Sequence, residues 1–140
     1  MTKPHWEHFS HQADIGVRGV GDTLEQAFAQ AAMALTAVIT DPAQVQPRQA
    51  VAITCENPDR EMLLVDWLNA LIYEMDTRKM LFSRYSVTIE GAQLTGTASG
   101  EAVDRQRHQP AAEVKGATYT GLKVEQTPGS GWTAQCVVDV

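Results

Sequence analysis

The sequence predicts an α+β fold, with two helices packed on one face of a largely antiparallel sheet, in the order β-α-β-α-β-β-β-β. Two segments before residue 83 carry apolar residues at helical spacing. The rest of the chain instead alternates apolar and polar residues, which favours half-buried antiparallel strands over parallel ones. A chain of 140 residues can bury a real core. We therefore expect residues 1–140 to form a single domain.

The first predicted strand spans 14–20, and a helix follows it. Thr23 and Gln26 have the spacing of a capping box, which satisfies free amides at a helix start. Pro42 ends the helix, because the residue before a proline is disfavoured in helical conformation. The apolar stripe of this helix consists of Leu24, Ala27, Phe28, Ala31, Leu35 and Val38.

The densest apolar stretch of the chain, 57–82, predicts a central helix that follows a strand at 50–56. Asn57 can cap this helix, and Pro58 suits its first position. A helix this apolar is buried on most sides. Its few polar residues form one narrow line, which faces either water or a site: Asp66, Asn69, Tyr73 and Asp76.

Four more strands are predicted after the central helix, at 85–90, 93–99, 112–126 and 132–140. A turn at Gly91-Ala92 joins the first two of them, and TPGSG forms a hairpin loop before the last. The segment QLTGTAS is small and polar, so we expect it at a sheet edge or beside a closely packed backbone. The long strand is expected to bend at Gly116 or Gly121.

The composition argues against a protein that binds nucleic acid strongly. The formal net charge is −6, with 11 Lys and Arg against 17 Asp and Glu. Neutralising phosphates requires clustered basic residues, so direct strong binding to nucleic acid is not expected. An acidic protein can still act in RNA metabolism by docking on a basic protein partner.

The sequence also indicates a cytoplasmic protein without membrane association. No apolar run approaches the ~18 residues that span a membrane, and residues 1–14 lack the apolar segment of a secretory signal. Cys55 and Cys136 lie in alternating apolar segments. We interpret them as buried free thiols in strands rather than as zinc ligands.

Two acids at strand ends are candidate metal ligands. Asp14 begins the first predicted strand, and Asp139 nearly ends the last one. We expect antiparallel pairing of these strands to keep the two carboxylates apart, and parallel pairing or crossing sheets to bring them together. With carbonyl or terminal carboxylate oxygens they would form a hard oxygen site for calcium or magnesium. The alternative is a pair of exposed acids at strand ends.

Three further polar residues have open roles. His11 is a metal ligand, a general base or a surface residue. His108 lies in the most polar segment, 100–110, which is either a solvated loop or a docking or catalytic loop. Asp66 is a capping or solvent-facing acid, or the partner of a basic residue. It is the residue of the central helix to test for direct function.

Several segments, taken in order, resemble the archease family. HQADIGVRGVGDTLEQAFAQAAMAL resembles its N-terminal signature, and MLLVDWLNALIYEMDTRKMLF resembles its central helix. GEAVDRQRHQPAAEVKGATYTGLKVE and WTAQCVVDV resemble its C-terminal half and terminus. The resemblance runs from about Phe9 to Val140, and the order of the motifs is more specific than any single one. One departure places Thr120, in TYTGL, where the family commonly has the histidine of TYHGL.

The resemblance implies a protein cofactor of an RtcB-type RNA ligase, which seals tRNA halves or repaired RNAs through a guanylylated histidine. Family members promote ligase guanylylation and multiple turnover. They bind a divalent metal, expected here to be calcium, with magnesium or manganese as alternatives. The metal residues of the family correspond to Asp14, Asp139 and the terminal Val140. No residue is expected to be catalytic, and the lesser candidates for partner contact or activation are His11, Asp66, His108 and Lys115.

Two rival interpretations belong to other functional classes. One is a metal-dependent hydrolase whose site contains Asp14, His11 and Asp139. The other is a chaperone-like binding module that does not depend on metal. Stimulation of ligase guanylylation by this protein would distinguish the cofactor from both.

Overall fold

The strands form two antiparallel sheets in the computed structural model, which describes residues 2–129 and 131–140. The larger sheet contains β1 (His5–His11), β2 (Asp14–Gly21), β6 (Gly116–Ala117), β7 (Lys123–Thr127) and β8 (Gly131–Asp139). The smaller sheet contains β3 (Gln49–Glu56), β4 (Met80–Glu90) and β5 (Gln93–Ala102). The helices are α1 (Leu24–Ile39), α2 (Arg60–Arg78) and the single turn α3 (Arg105–His108), with a short 3₁₀ turn at Pro42–Gln44.

The predicted α+β class is confirmed, but the strands are divided between two sheets instead of forming one. Helix α1 packs against β2 and β8 of the larger sheet and also against β4 of the smaller sheet. Helix α2 likewise contacts strands of both sheets. Ten of the sixteen residues of α1 are buried. Its apolar surface therefore extends around more of the helix than packing against a single sheet would bury. Two apolar helices therefore hold two sheets together around one core.

The start of α1 is formed by the predicted capping residues. The Thr23 hydroxyl oxygen accepts from the Gln26 N–H at 3.1 Å, and the Gln26 side chain accepts from the Asp22 N–H at 2.8 Å. The helix lies very close to β2, because a side chain at Gly19 would collide with the backbone of Ala27. Glycine at this position therefore sets the distance between α1 and the larger sheet.

The central helix is shorter at both ends than predicted. Its cap is Asp59 and not Asn57, since the Asp59 carboxylate accepts from two amides of the first turn, at 2.8 and 3.2 Å. It ends at Arg78, because Lys79 adopts the left-handed conformation with φ of 55°. The apolar residues 80–82, predicted as helix, instead begin β4 and are buried there.

Strand β5 is central and not at an edge, since it pairs with both β3 and β4. The alternative expectation, of a closely packed backbone, is confirmed. A side chain at Gly96 would lie 2.7 Å from the ring of Trp67, and one at Gly100 would collide with the Leu81 backbone. Trp67 is fully buried and donates through its indole N–H to the Phe28 carbonyl at 3.1 Å. The small residues of β5 thus make room for the largest side chain of the core.

The predicted strand 112–126 is interrupted, and an additional strand precedes the predicted first one. Only 116–117 and 123–127 pair with β8, while a turn separates them. Strand β1, which the sequence did not predict, pairs with β2 along its whole length. Pairing of Thr127 with Gly131 confirms the hairpin of the TPGSG segment, whose Ser130 lies outside the described residues.

Both cysteines are free thiols within strands, as expected. Cys136 is buried and Cys55 is half-buried. Burial raises the pKa of Cys136 to about 12 and also raises the pKa of Cys55, so both thiols stay protonated and unreactive near neutral pH. Among the described residues, no helix combines the length and apolar character that crossing a membrane requires.

Candidate functional site

Asp14 and Asp139 lie side by side at one corner of the larger sheet. Strands β2 and β8 pair antiparallel, and the outermost pair of their ladder is Ile15 and Val138. Asp14 precedes Ile15, and Asp139 follows Val138, so the two acids are the next opposed pair. Our expectation that antiparallel pairing would separate them was wrong. Antiparallel pairing places the beginning of one strand beside the end of the other, which is where these two acids stand.

The end of β1 brings His11 to the same corner. His11 is the register partner of Asp14, and directly opposed side chains project from the same face of a sheet. Asp14 and His11 are half-buried, while Asp139 is exposed. Three polar side chains from three adjacent strands therefore share one face at the corner. We call Asp14, Asp139, Val140 and His11 the acidic corner.

The backbone that follows α3 fixes the position of Asp139. The Lys115 N–H donates to the Asp139 carbonyl at 2.7 Å, and Gly116 continues the pairing as the partner of Asp139. The side chain of Lys115 is exposed beside this bond. Val140 packs its side chain partly against the core, which anchors its backbone next to Asp139. Lys115 is thus brought to the acidic corner as well.

Asn69, which the sequence placed on the polar line of the central helix without assigning it a role, belongs to this region. Its side-chain oxygen accepts from the Ala117 N–H at 2.9 Å. This bond ties α2 to the two-residue strand β6, which in turn pairs with Asp139. The available signal was the polar line of the central helix, of which Asn69 is a member. At Asn69, the polar line of α2 therefore faces β6, the strand that holds Asp139 in place.

Thr120 lies in the turn that is hydrogen-bonded along the edge of β8. Its carbonyl accepts from the Val137 N–H at 3.0 Å, and its side chain is exposed. The neighbouring Thr118 hydroxyl donates to the Val137 carbonyl at 2.8 Å. The 118–120 turn is therefore held against β8 two residues before Asp139, independently of which side chain occupies position 120.

The donor atoms of the acidic corner suit a hard divalent cation. Two carboxylates and the oxygen atoms of Val140 are the ligand types that calcium and magnesium prefer. Within residues 2–129 and 131–140, no three His, Cys, Asp or Glu side chains converge at metal-binding distance. Such a site would hence depend on backbone or Val140 oxygens and on water, which the exposure of Asp139 admits. The residues present fit calcium better than zinc, which favours nitrogen and sulfur ligands.

His108 is not at the acidic corner but in a buried polar network. It is 2% exposed, and its Nε2 lies 3.0 Å from an oxygen of Glu101. The Asp104 N–H donates to its Nδ1 at 2.9 Å, so the ring proton is on Nε2 and is donated to Glu101. Both ring nitrogens are used inside the protein, which leaves His108 no direct contact with a partner in this conformation.

Glu101 is the centre of that network. Its carboxylate accepts from the Gln46 N–H at 2.8 Å and pairs with Arg107 at 2.6 Å and Arg48 at 3.4 Å. The Gln46 backbone amide, together with His108 and Arg107, lowers the pKa of Glu101 to about 2. One expectation for the polar segment 100–110 was a solvated loop. The structure instead anchors this segment through a buried carboxylate.

Asp66 also lies apart from the acidic corner. Its carboxylate accepts from the side-chain amide of Asn57 at 3.2 Å. The bond joins the end of β3 to the first half of α2. Asp66 thus supports the connection into the helix, and Asn57 serves as its partner instead of capping the helix.

Comparison with known proteins identifies the family that this chain resembles. A model of the Archease protein family matches residues 6–140. The Protein archease of Pyrococcus furiosus is 41% identical over 96% of this chain and 98% of that protein. The Protein archease of Methanopyrus kandleri is 40% identical over 96% of this chain and 99% of its own length.

Two solved structures share the fold. The solution structure of protein 1598 from Methanobacterium thermoautotrophicum has a TM-score of 0.84 and 33% identity, and the match covers 96% of this chain and 98% of that one. The crystal structure of an archease from Thermotoga maritima, described as a possible chaperone, has a TM-score of 0.62 and 20% identity. That match covers 100% of this chain and 98% of the other. At this lower identity, the second structure supports the fold alone.

Proposed function

The chain belongs to the archease family, and on this premise we propose that it is a metal-binding protein cofactor that activates an RtcB-type RNA ligase in tRNA splicing or RNA repair. The observation that carries the proposal is the β2–β8 register, which places Asp14 opposite Asp139, with Val140 directly after it. Residues from opposite ends of the sequence meet there only because β2 and β8 pair antiparallel. The resemblance of the sequence to the family implies that these three positions are its metal residues.

The proposed cofactor is calcium, with magnesium or manganese as alternatives. Asp14 and Asp139 would contribute one or two carboxylate oxygens each, and Val140 would add a carboxylate or carbonyl oxygen. When bound, the cation would supply positive charge that stabilises negative charge on phosphate groups of the ligase reaction.

The chain itself would hold and present this site. The Lys115 N–H fixes the Asp139 backbone at 2.7 Å, while Asn69 fixes the neighbouring strand through Ala117. The corner is thereby preorganised before any partner arrives, which reduces the ordering cost of association. Exposed Asp139 and Lys115 would enter the ligase near its nucleotide pocket. The net charge of −6 suits docking on a ligase with a basic RNA groove.

A single-turnover guanylylation assay tests the proposal. Purified ligase is mixed with labelled GTP and calcium, alone or with this protein, and the ligase–GMP adduct is measured over time. We expect the wild-type protein to accelerate adduct formation and the Asp14→Ala and Asp139→Ala variants to lose most of that effect. Glu90→Ala is the matched control, since Glu90 is an exposed acid at the end of a strand in the other sheet.

Each outcome has a defined meaning. Absence of stimulation by the wild-type protein would refute the cofactor function. Full stimulation by both corner variants would refute the role of metal and favour a metal-independent binding module. Hydrolysis of nucleotides or phosphoesters by this protein alone would instead favour an enzyme with its site at Asp14, His11 and Asp139.

A further inference from the structure

A groove of about 870 Å³ lies between the second half of α2 and the segment 110–115. Its floor is apolar, with contributions from Ile39, Ile72, Met75, Met80, Leu81 and Val114. Tyr73 stands on the α2 side with 64% of its surface exposed. Asn69 and Lys115 form the end of the groove that adjoins Asp139. The groove and the acidic corner are consequently one continuous surface.

The segment 111–115 has no strand partner among residues 2–129 and 131–140, and its backbone follows the in-and-out alternation of an extended chain. Its burial alternates, with Ala112 and Val114 turned inward and the three residues between and beside them exposed. The Ala111 N–H bonds to the Ile39 carbonyl at 2.8 Å, and the Lys115 N–H bonds to the Asp139 carbonyl at 2.7 Å. In the described part of the chain, residues 112–114 make no backbone hydrogen bond.

The alternation of residues along an extended chain determines which backbone groups point toward the groove. In an extended chain, the N–H and C=O of every second residue point to the same edge. Ala111 and Lys115 use the edge that faces the body of the protein, so Ala112 and Val114 present their N–H and C=O on the opposite edge. All residues of the range 110–115 line the groove, so inward-facing and outward-facing residues both contribute to its wall.

The charged residues around the groove indicate the sign of charge that a bound segment would carry. Lys79 is paired with Asp76 at 3.7 Å. Arg105 and Lys115 form no ion pair with any described residue, and Glu113 is the remaining acid of the groove. The groove is thus locally cationic within a protein whose net charge is −6. It suits a segment that carries carboxylates.

We propose that this groove binds an extended, acidic segment of the partner ligase, which adds as a strand to the free edge of residues 112–114. Main-chain hydrogen bonds to Ala112 and Val114 would hold the segment, as in other cases of strand addition. Its apolar side chains would cover Ile72, and Tyr73 would serve as an aromatic anchor at the rim. A carboxylate would pair with Arg105. This inference rests on the proposed function and adds a second contact beside the acidic corner.

Amide hydrogen exchange on the wild-type protein tests the inference directly. Exchange is measured with and without saturating ligase, at single-residue resolution. We expect the Ala112 and Val114 amides to slow at least tenfold in the complex. The Gly91 and Ala92 amides, in a turn of the smaller sheet, are the internal reference and should keep their rates.

A proline pair tests the same edge by affinity. Ala112→Pro removes a donor that faces the groove, whereas Glu113→Pro removes one from the opposite edge of the same segment. Both are compatible with extended backbone, and thermal unfolding checks that each variant folds. We expect Ala112→Pro to weaken ligase binding at least tenfold more than Glu113→Pro. Should either variant fail to fold, hydrogen exchange on the wild-type protein still decides.

The outcomes separate this inference from the function on which it rests. A ligase that neither binds nor responds to the protein would refute both. A ligase that is activated while Ala112 and Val114 exchange at unchanged rates would refute only the groove contact. A wild-type dimer that Ala112→Pro dissociates would show that a second copy of this chain occupies the groove, and would overturn the proposal.

Discussion

The backbone N–H of Lys115 donates to the carbonyl of Asp139 at 2.7 Å and so joins two regions of the surface. On one side of this bond lies the acidic corner, where Asp14 and Asp139 stand at opposed strand ends. On the other side begins the groove formed by α2 and residues 110–115. A partner that approached the corner would therefore meet the exposed Lys115 side chain and the groove entrance together.

Calcium should stabilise the wild-type protein through Asp14 and Asp139. At a free calcium concentration of about 100 times Kd, binding adds about 2.7 kcal/mol to the free energy of unfolding. For a domain of this size that raises Tm by roughly 5 to 10 °C. The Asp14→Asn and Asp139→Asn variants should lose this increase, because each replaces a charged ligand by a neutral amide of similar shape. Thermal unfolding with and without calcium measures it.

Glu90→Gln controls for the general effect of removing a strand-end charge. Glu90 is exposed at the end of β4 in the smaller sheet, so the calcium-dependent rise in Tm should persist in this variant. An equal rise in wild type and both corner variants would contradict metal binding by these carboxylates.

Lys115→Met should separate metal binding from ligase activation. The substitution removes the ammonium group but keeps the backbone bond to Asp139, so the calcium-dependent rise in Tm should persist. Activation of the ligase should fall at least tenfold, because the variant cannot pair with a ligase carboxylate, and losing one partner of a charge pair that the complex buries costs about 2 to 5 kcal/mol. Lys123→Met, which changes an exposed lysine of β7, should activate normally. Equal activation by the two variants would exclude a contact through Lys115.

Local patterns predicted the elements well, whereas contacts between distant segments could not be predicted. The spacing of Thr23 and Gln26 fixed the start of α1 because a cap involves only neighbouring residues. The left-handed conformation of Lys79, which ends α2 early, has no strong signal in a residue other than glycine. Strand β1 was missed because its sequence is polar and its stability comes from pairing with β2.

The sequence predicted which residues form the site but not how they are arranged in space. The sequence places Asp14 and Asp139 at strand ends, yet which ends meet depends on strand pairing over the whole chain. The Asn69–Ala117 bond spans 48 residues, so no local pattern could show it. The burial of Glu101 and His108 depends on partners from three segments, whereas their local sequence is typical of a solvated loop.

Asn69→Ala should weaken the acidic corner with little effect on global stability. The variant loses the bond to Ala117, at a net cost of about 1 kcal/mol. It also gains roughly 0.5 kcal/mol of helix propensity within α2. The Tm should therefore fall by less than about 3 °C. Calcium affinity should decrease roughly tenfold, as for other residues that orient a ligand indirectly. Calorimetric titration measures the affinity.

Asp66→Asn is the matched control on the same helix, one turn before Asn69. The new amide oxygen can still accept from Asn57, so this contact is retained. Calcium affinity and ligase activation should both remain at the wild-type level. Loss of activation at unchanged Tm would show that Asp66 has a direct function and that the helix contributes more than support.

The buried carboxylate of Glu101 should make stability depend on acid pH. Its pKa is about 2 in the folded protein, against an ordinary value of 4.5. The unfolded chain therefore takes up this proton first, and the stabilising contribution, fully present above pH 4.5, is lost as the pH falls toward 2. Glu101→Gln leaves Arg107 without its charged partner, so its urea midpoint should be lower at pH 7. The midpoint of the variant should also fall less steeply between pH 4.5 and 2.

Glu125→Gln, at an exposed position of β7, is the control and should keep the wild-type dependence of the midpoint on pH. Equal slopes for all three proteins would contradict a role for Glu101 in acid unfolding.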